Sequence, residues 1–276
     1  MSLDRRLTPA NVRVAATFLK GQVAAASYLD GWTRHVVVPV IALHDTPQGR
    51  RERELLRGDA VTVFEDHDGW CFVQAARDGY VGYVPSAALH DMPAPDLRVC
   101  TRATHAYARA DLKSPDLMTL SHGSRLRHMG QTGRFILTDA GYVPAGHVAP
   151  VDQMEDDPVS VTTLLLGTPY LWGGNSAFGI DCSGLVQAAC LACGIPCPGD
   201  SDLQAAILGD PVTDGSAPRR GDLLFWKGHV AWVAGSDTIL HANAHHMAVA
   251  FEGLADAVAR IDAQGGGSVT GHRRLG

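Results

Sequence analysis

The chain has 276 residues, 46% of them hydrophobic and 19% charged, with a formal net charge of −6 at neutral pH. This is globular composition, long enough for two or three domains, and it excludes a largely disordered chain. A nucleic-acid binder would carry a basic surplus, and none is present, so no nucleic-acid partner is expected. No stretch approaches the roughly 20 apolar residues of a membrane-spanning helix, so no membrane partner is expected either. The opening, MSLDRRLTPANVRVAATFLKG, lacks the apolar run of a secretory leader after Arg5 and Arg6. The expected location is cytoplasmic, or extracytoplasmic if a native leader precedes this sequence. Six cysteines without a leader argue for reduced thiols, each of them core filler, metal ligand or nucleophile.

Residues 1–35 suggest a helical arm: Thr8-Pro9-Ala10-Asn11 resembles a helix start, and Val12, Ala15, Ala16 and Leu19 fall on one face. From Val36 the pattern turns to short strands, the first over residues 36–41. Residues 61–64 and 70–73 flank Asp68-Gly69, the dipeptide of a tight hairpin, and Asp78-Gly79 precedes a strand over 80–84. Gly82-Tyr83-Val84-Pro85-Ser86-Ala87 returns as Gly141-Tyr142-Val143-Pro144-Ala145-Gly146, about one small barrel further on. Leu56, Gly58 and Val61 are loosely echoed by Leu120, Gly123 and Leu126. Two tandem β-modules are therefore expected, residues 36–92 and 97–150. Residues 151–158, VDQMEDDP, read as an acidic linker running into a helix cap. Residues 158–276 read as α+β, helices first, then strands over 223–226, 230–234, 238–241 and 247–251.

The chemistry concentrates in residues 167–194, GTPYLWGGNSAFGIDCSGLVQAACLACG. A glycine- and aromatic-rich loop ends in Asp181-Cys182-Ser183-Gly184, after which Leu185, Val186, Ala189 and Cys190 follow at helical spacing. Asp181 suits the N-cap, and Gly194 can end the helix. Cys182 then sits in the first turn, where the positive end of the helix dipole favours the reactive thiolate. Such a cysteine needs a base. His229 opens one strand and His241 ends the next, so both imidazoles can share one sheet edge. His229 would take the thiol proton, and His241 would hold its other ring nitrogen. Taken singly, a cysteine near a helix start or one strand histidine is more often structural; the ordered combination is far more specific.

Pro169-Tyr170-Leu171-Trp172-Gly173-Gly174, Asp181-Cys182-Ser183-Gly184, Arg220-Gly221-Asp222-Leu223, Gly228-His229-Val230 and His241 together resemble the NlpC-type cell-wall cysteine peptidases. The resemblance covers residues 158–251. It implies a multidomain chain: two small all-β SH3-like barrels, then an α+β catalytic domain with a circularly permuted papain-like fold. With the upstream modules, it points to the subgroup of γ-D-glutamyl-L-diamino acid endopeptidases. Their substrates are murein peptides such as L-Ala-γ-D-Glu-diamino acid with a free N-terminal alanine. Carried over residue by residue, Cys182 is the nucleophile, His229 the base, His241 the orienting residue, and Tyr170 an oxyanion donor. Trp172 walls the cleft, and Asp181, Ser183, Asp200 and Ser201 are substrate-binding candidates. Asp200 would pair with the alanine ammonium. In the subgroup a tyrosine of the first SH3-like domain reaches the substrate, and Tyr80 in Gly79-Tyr80-Val81-Gly82-Tyr83 fits that pattern. No cofactor or metal is expected. The chain departs from the pattern at Gly228, where relatives often carry a larger residue, and at the histidine-rich Ala242-Asn243-Ala244-His245-His246.

Three rivals use the same residues. Cys190, Cys193 and Cys197 begin like a metal site, but no second CxxC completes it. The chain could be a non-catalytic wall-binding protein, against which the intact Cys182, His229 and His241 argue. It could also be a thiol acyltransferase or amidase acting on another amide, which the Asp200 loop disfavours.

Overall fold

The computed structural model describes residues 3–275. The chain forms two compact units, Met1–Asp152 and Gln153–Gly276.

The first unit opens with β1 (Val14–Ala16), a 3-10 turn (Thr17–Leu19) and β2 (Ser27–Leu29), the two strands pairing in parallel. This corrects the expected helical arm. Asn11 does accept cap-like bonds at Oδ1 from the N–H groups of Arg13 and Val14, both 2.8 Å. The chain then folds back, however, with the Asn11 N–H donating to the Val14 carbonyl and Ala10 bridging Ala15. Val14, Ala16 and Leu19 pack on Phe64, Phe72 and Val81 of the first β-module, while Val12 is 82% exposed. The apolar run is short enough to serve either period, and tertiary burial selects the strand.

The strands β3 (Trp32–Val36), β4 (Val40–His44), β5 (Arg51–Leu56), β6 (Ala60–His67), β7 (Trp70–Ala75), β8 (Val81–Pro85) and β9 (Leu89–His90) follow. They join in the order β5-β4-β8-β7-β6-β3-β9. The strand expected over 36–41 is interrupted between Val36 and Val40, where Pro39 has no amide to give to a ladder. Asp68 (φ 51°) and Gly69 (φ 77°) turn the β6–β7 hairpin, both in the left-handed region that a type I′ turn requires.

Next come β10 (Leu97–Val99), β11 (Ala103–Tyr107), β12 (Asp116–Ser121), β13 (Arg125–Leu126), β14 (His128–Thr132), β15 (Phe135–Thr138), β16 (Gly141–Pro144) and β17 (Val148–Pro150). They form a five-stranded sheet, β12-β11-β16-β15-β14, and a three-stranded one, β13-β10-β17. Val99, Ala106, Leu120, Leu126 and Val143 make their core. The repeated segments hold matching places, since β8 and β16 each run through a 3-10 turn, Ser86–Ala88 or Ala145–His147, into a closing strand. Arg57 joins the two halves of this unit, its guanidinium donating to Asp139 Oδ2 (2.8 Å) and to the Val37 carbonyl.

The second unit contains α1 (Pro158–Leu164), β18 (Asn175–Ser176), β19 (Gly179–Ile180), α2 (Cys182–Ala192), α3 (Ser201–Ile207) and β20 (Asp210–Pro211). After these come β21 (Asp222–Trp226), β22 (His229–Val233), β23 (Thr238–Asn243), β24 (Ala248–Gly253), α4 (Leu254–Ala263) and β25 (Gly271–Arg274). Asp157 caps α1, accepting from the Val159 N–H (3.0 Å), with Pro158 at the first helical position. The sheet, in the order β20-β25-β21-β22-β23-β24, is antiparallel throughout. Alternate residues serve its two faces. Leu223, Phe225, Val230 and Trp232 pack with Val186, Ala189 and Cys190 of α2. Leu224, Trp226, Ala231 and Val233 pack with Ala257 and Ile261 of α4. Among the described residues no helix is long and apolar enough to cross a membrane.

Asp222 ties β25 to β21. Its buried carboxylate accepts from Arg274 Nε (2.8 Å) and Nη2 (2.7 Å) and from the Arg219 N–H (2.8 Å), with His272 Nε2 2.6 Å away. Burial alone would raise its pKa; the bonds from Arg274, Arg219 and His272 overcome that and hold it at about 2. Asp222→Asn should therefore lower the unfolding free energy by about 2 kcal/mol, the scale of a lost charge-assisted bond. Urea denaturation of the two proteins measures this, and an unchanged midpoint would show that β25 is held by its backbone ladder alone.

Candidate active site

Cys182 is the first residue of α2, and Asp181 is the N-cap, with extended backbone (φ −98°, ψ 179°). One carboxylate oxygen of Asp181 accepts from the Gly184 N–H (2.7 Å) and the Ser183 hydroxyl (3.0 Å), the other from the Gly173 N–H (2.8 Å). The approach loop is thus anchored to the first helical turn. Two glycines allow it to lie so close. Gly173 is left-handed (φ 73°), and a Cβ at Gly184 would run into the Gly174 carbonyl. Cys182 is buried at the positive end of α2.

Buried amides that the sequence reading missed brace this turn. Asn175 Nδ2 donates to Gln187 Oε1 (3.0 Å), and Gln187 Nε2 donates to the Cys197 carbonyl (3.0 Å). Gln204 Nε2 donates to the carbonyls of Ser183 and Pro198, both 2.9 Å. The one available signal was Gln187, a polar residue within an otherwise apolar helical run.

α2 packs on β22 and β23, the strands that carry the histidines. His229 Nε2 lies 2.9 Å from His241 Nδ1, and His241 Nε2 lies 3.0 Å from Glu252 Oε2. Arg260 of α4 then donates to Glu252 through Nε (2.8 Å) and Nη2 (2.7 Å). Neither Glu252 nor Arg260 stood out in the sequence. Burial pushes the His229 pKa down to about 3, with positive charge at His241 and Arg260 acting the same way. Burial also takes His241 down to about 4, against the pull of Glu252. The Arg260 bond holds Glu252 at about 2 in spite of burial. Both imidazoles are therefore neutral at neutral pH, and Glu252 is ionised.

The other expected residues are spread around this centre. Tyr170 is part-buried, its N–H donating to the Met247 carbonyl (2.8 Å). Burial, then negative charge at Cys182 and Asp181, raises its phenol pKa, so it is a hydroxyl donor at neutral pH. Trp172 is 71% exposed. Asp200 stands at the N-cap of α3, but its side chain makes no capping bond, and Ser201 begins the helix. Tyr80 is buried in the first unit with the Arg53 guanidinium 5.9 Å from its ring centroid.

For metals, His241, His246 and Glu252 bring one ligand atom each within 4.8 Å of one another. Cys190, Cys193 and Cys197 form no such group among the described residues. A bond to Cys197, with burial, pushes the Cys190 pKa up, and burial takes Cys193 to about 11.

Comparison with known proteins matches the NlpC/P60 family to residues 167–258. This chain carries an NlpC/P60 domain. It is the domain of a cysteine-peptidase family, hydrolases by class. Residues 43–89 match the bacterial dipeptidyl-peptidase SH3 domain, so the N-terminal unit includes an SH3-like domain. Dipeptidyl-peptidase 6 of Lysinibacillus sphaericus is 36% identical over 101 residues, 36% of each chain. A γ-D-glutamyl-L-lysine dipeptidyl-peptidase of Bacillus subtilis (strain 168) is 38% identical over 113 residues, 37% of each chain. The alignments thus span little more than a third of these curated relatives. A crystal structure of an NlpC/P60 family protein from Bacillus cereus ATCC 10987 has a TM-score of 0.75 at 20% identity, covering 88% of this chain and 99% of that one. It shares the fold.

The two depressed histidines set an acid limit. Unfolded, each titrates near its ordinary value of 6.5; folded, near 3 and 4. Between those values the unfolded chain binds more protons, so stability falls as pH drops below 6.5. Glu252, ordinarily near 4.5 and here near 2, adds a loss at lower pH with the same sign. Urea midpoints measured from pH 7 to pH 4 should decline, and the decline should be shallower in His241→Gln. An equal slope in that variant would place the acid sensitivity elsewhere.

Proposed function

We propose that the protein is a cysteine endopeptidase that hydrolyses the γ-D-glutamyl–diamino acid bond of murein-derived peptides bearing a free N-terminal L-alanine. The observation that carries this is a cysteine capped at a helix N-terminus, packed on strands whose two neutral histidines stand 2.9 Å apart. The choice of bond is supported by the likeness to the B. subtilis γ-D-glutamyl-L-lysine dipeptidyl-peptidase. In this reading residues 36–92 and 97–150 are two SH3-like barrels, and residues 158–276 a circularly permuted papain-like domain.

The mechanism is acyl transfer. His229 takes the Cys182 proton, and the thiolate attacks the γ-glutamyl carbonyl. The Tyr170 hydroxyl and the Cys182 N–H receive the oxyanion charge. His229 then protonates the leaving amine and activates water to release L-Ala-γ-D-Glu. His241 orients His229 throughout. Asp181, its oxygens already accepting from Gly173, Ser183 and Gly184, positions the nucleophile more than it binds substrate. Asp200 meets the alanine ammonium, Ser183 and Ser201 the peptide's polar groups, and Trp172 bounds the cleft. A site that pairs a carboxylate with an ammonium disfavours N-blocked peptides, because blocking leaves the carboxylate unpaired. In intact wall the alanine nitrogen is acylated, so the preference suits peptides already released, as in recycling.

Mass spectrometry of L-Ala-γ-D-Glu-diaminopimelate incubated with protein tests this. Wild type should release L-Ala-γ-D-Glu and Cys182→Ala should not; no release by folded wild type would sink the peptidase reading. Asp200→Asn should raise KM for the free-amine peptide by on the order of tenfold or more, with kcat little changed, and narrow the gap to the N-acetylated peptide. Equal cleavage of free and acetylated peptide by wild type would remove Asp200 from substrate recognition.

A further inference from the structure

The string that runs from His229 to Arg260 has a direction. We propose that Glu252, clamped by Arg260, is a positioning residue that dictates the tautomer of both histidines and so leaves Nδ1 of His229 as the nitrogen that takes the thiol proton. This rests on the reading of Cys182 and His229 as nucleophile and base.

Glu252 receives two bonds from Arg260, Nε to Oε1 and Nη2 to Oε2, and Oε2 also faces His241 Nε2. A carboxylate gripped in this way can only accept. His241 Nε2 must therefore carry the hydrogen. A neutral imidazole has one N–H, so His241 Nδ1 is a bare lone pair. The nitrogen 2.9 Å from it, His229 Nε2, must then donate. His229 has spent its only hydrogen, and its Nδ1 is basic. Without the carboxylate, the two histidines could run their hydrogen bond in either direction with equal satisfaction. In the reversed string Nδ1 of His229 carries a hydrogen and cannot accept one.

Burial makes the choice firm. His241 is wholly buried, and the side chains of Glu252 and Arg260 are 10% and 17% exposed, so water offers little competition. Burial keeps both rings neutral, the state in which the parity holds. His246 also brings a ring nitrogen within 4.8 Å of His241 and Glu252, and its Nδ1 lies 3.1 Å from Asn243 Oδ1. When His229 takes the proton, its positive charge is shared along the same string toward Glu252, as the buried aspartate serves the serine triad.

Glu252→Met keeps the length of the side chain and removes its acceptor oxygens. The Arg260 guanidinium, a donor, is then left beside His241 Nε2, and the string reverses. The ring nitrogens of 15N-histidine-labelled protein report tautomers directly by NMR. The wild type should show Nε2–H at both His229 and His241, and Glu252→Met should show Nδ1–H at both. Peptide turnover should fall by about 10²- to 10⁴-fold in kcat with KM within a few-fold, on the scale of a wrong tautomer in a serine triad. In Glu252→Gln an amide oxygen in the place of Oε2 accepts from both Arg260 Nη2 and His241 Nε2, so the wild-type tautomers and most of the turnover should remain. Nδ1–H at either ring in the wild type overturns the proposal without any variant. So do wild-type tautomers, or turnover within threefold of wild type, in a folded Glu252→Met. If wild type turns over no peptide at all, the spectra still decide the tautomers, and the loss falls on the peptidase reading alone.

Discussion

The carboxylate of Asp181 holds together the two parts of the chain that matter most to the site. It receives Gly173 from the approach loop and Ser183 and Gly184 from α2, so loop and helix share one anchor. Much else follows from that contact. The loop can settle on the helix only because Gly184 has no side chain to lift it away, and Cys182 is fixed between them with its backbone N–H at the open end of the helix. The buried amides of Asn175, Gln187 and Gln204 support the same turn from behind, through the bond from Asn175 to Gln187 and bonds to the carbonyls of Cys197, Ser183 and Pro198.

The sheet supplies the other half of the site by geometry that no single strand contains. Antiparallel pairing sets β22, β23 and β24 side by side, and α4 folds back over them on Ala257 and Ile261. His229, His241 and Glu252 lie on a diagonal across those strands, each two residues along from the direct pairing partner of the next, and Arg260 of α4 meets its end. Function here is a cross-section of the fold, and the residues along it are separated in sequence by the lengths of hairpins.

That distinction accounts for what could be read from the sequence. Local chemistry was legible: the Asp181 cap, the helix that begins at Cys182, the Asp157-Pro158 helix start and the Asp68-Gly69 turn are each written within a few residues. His229 and His241 were legible as neighbours because one short hairpin joins their strands. Glu252 was not, because a glutamate in an alternating strand looks like any solvated one until Arg260 and His241 are seen beside it. Arg260 likewise reads as an ordinary charge in the last turn of a helix. The N-terminal arm was misread because Val14, Ala15 and Ala16 are apolar enough for either helix or strand, and the deciding partners, Phe64, Phe72 and Val81, lie far along the chain.

The place of Arg260 bears on where the catalytic domain ends. Cys182, His229 and His241 are all present once β23 is made, and a fragment trimmed there, or after β24, would keep every residue that a motif search would ask for. It would lack α4, and with it the guanidinium that grips Glu252. On the proposed reading the smallest competent piece therefore runs past the motif, through an ion pair that need never touch a substrate, and on to β25, which pairs with β21 inside the sheet.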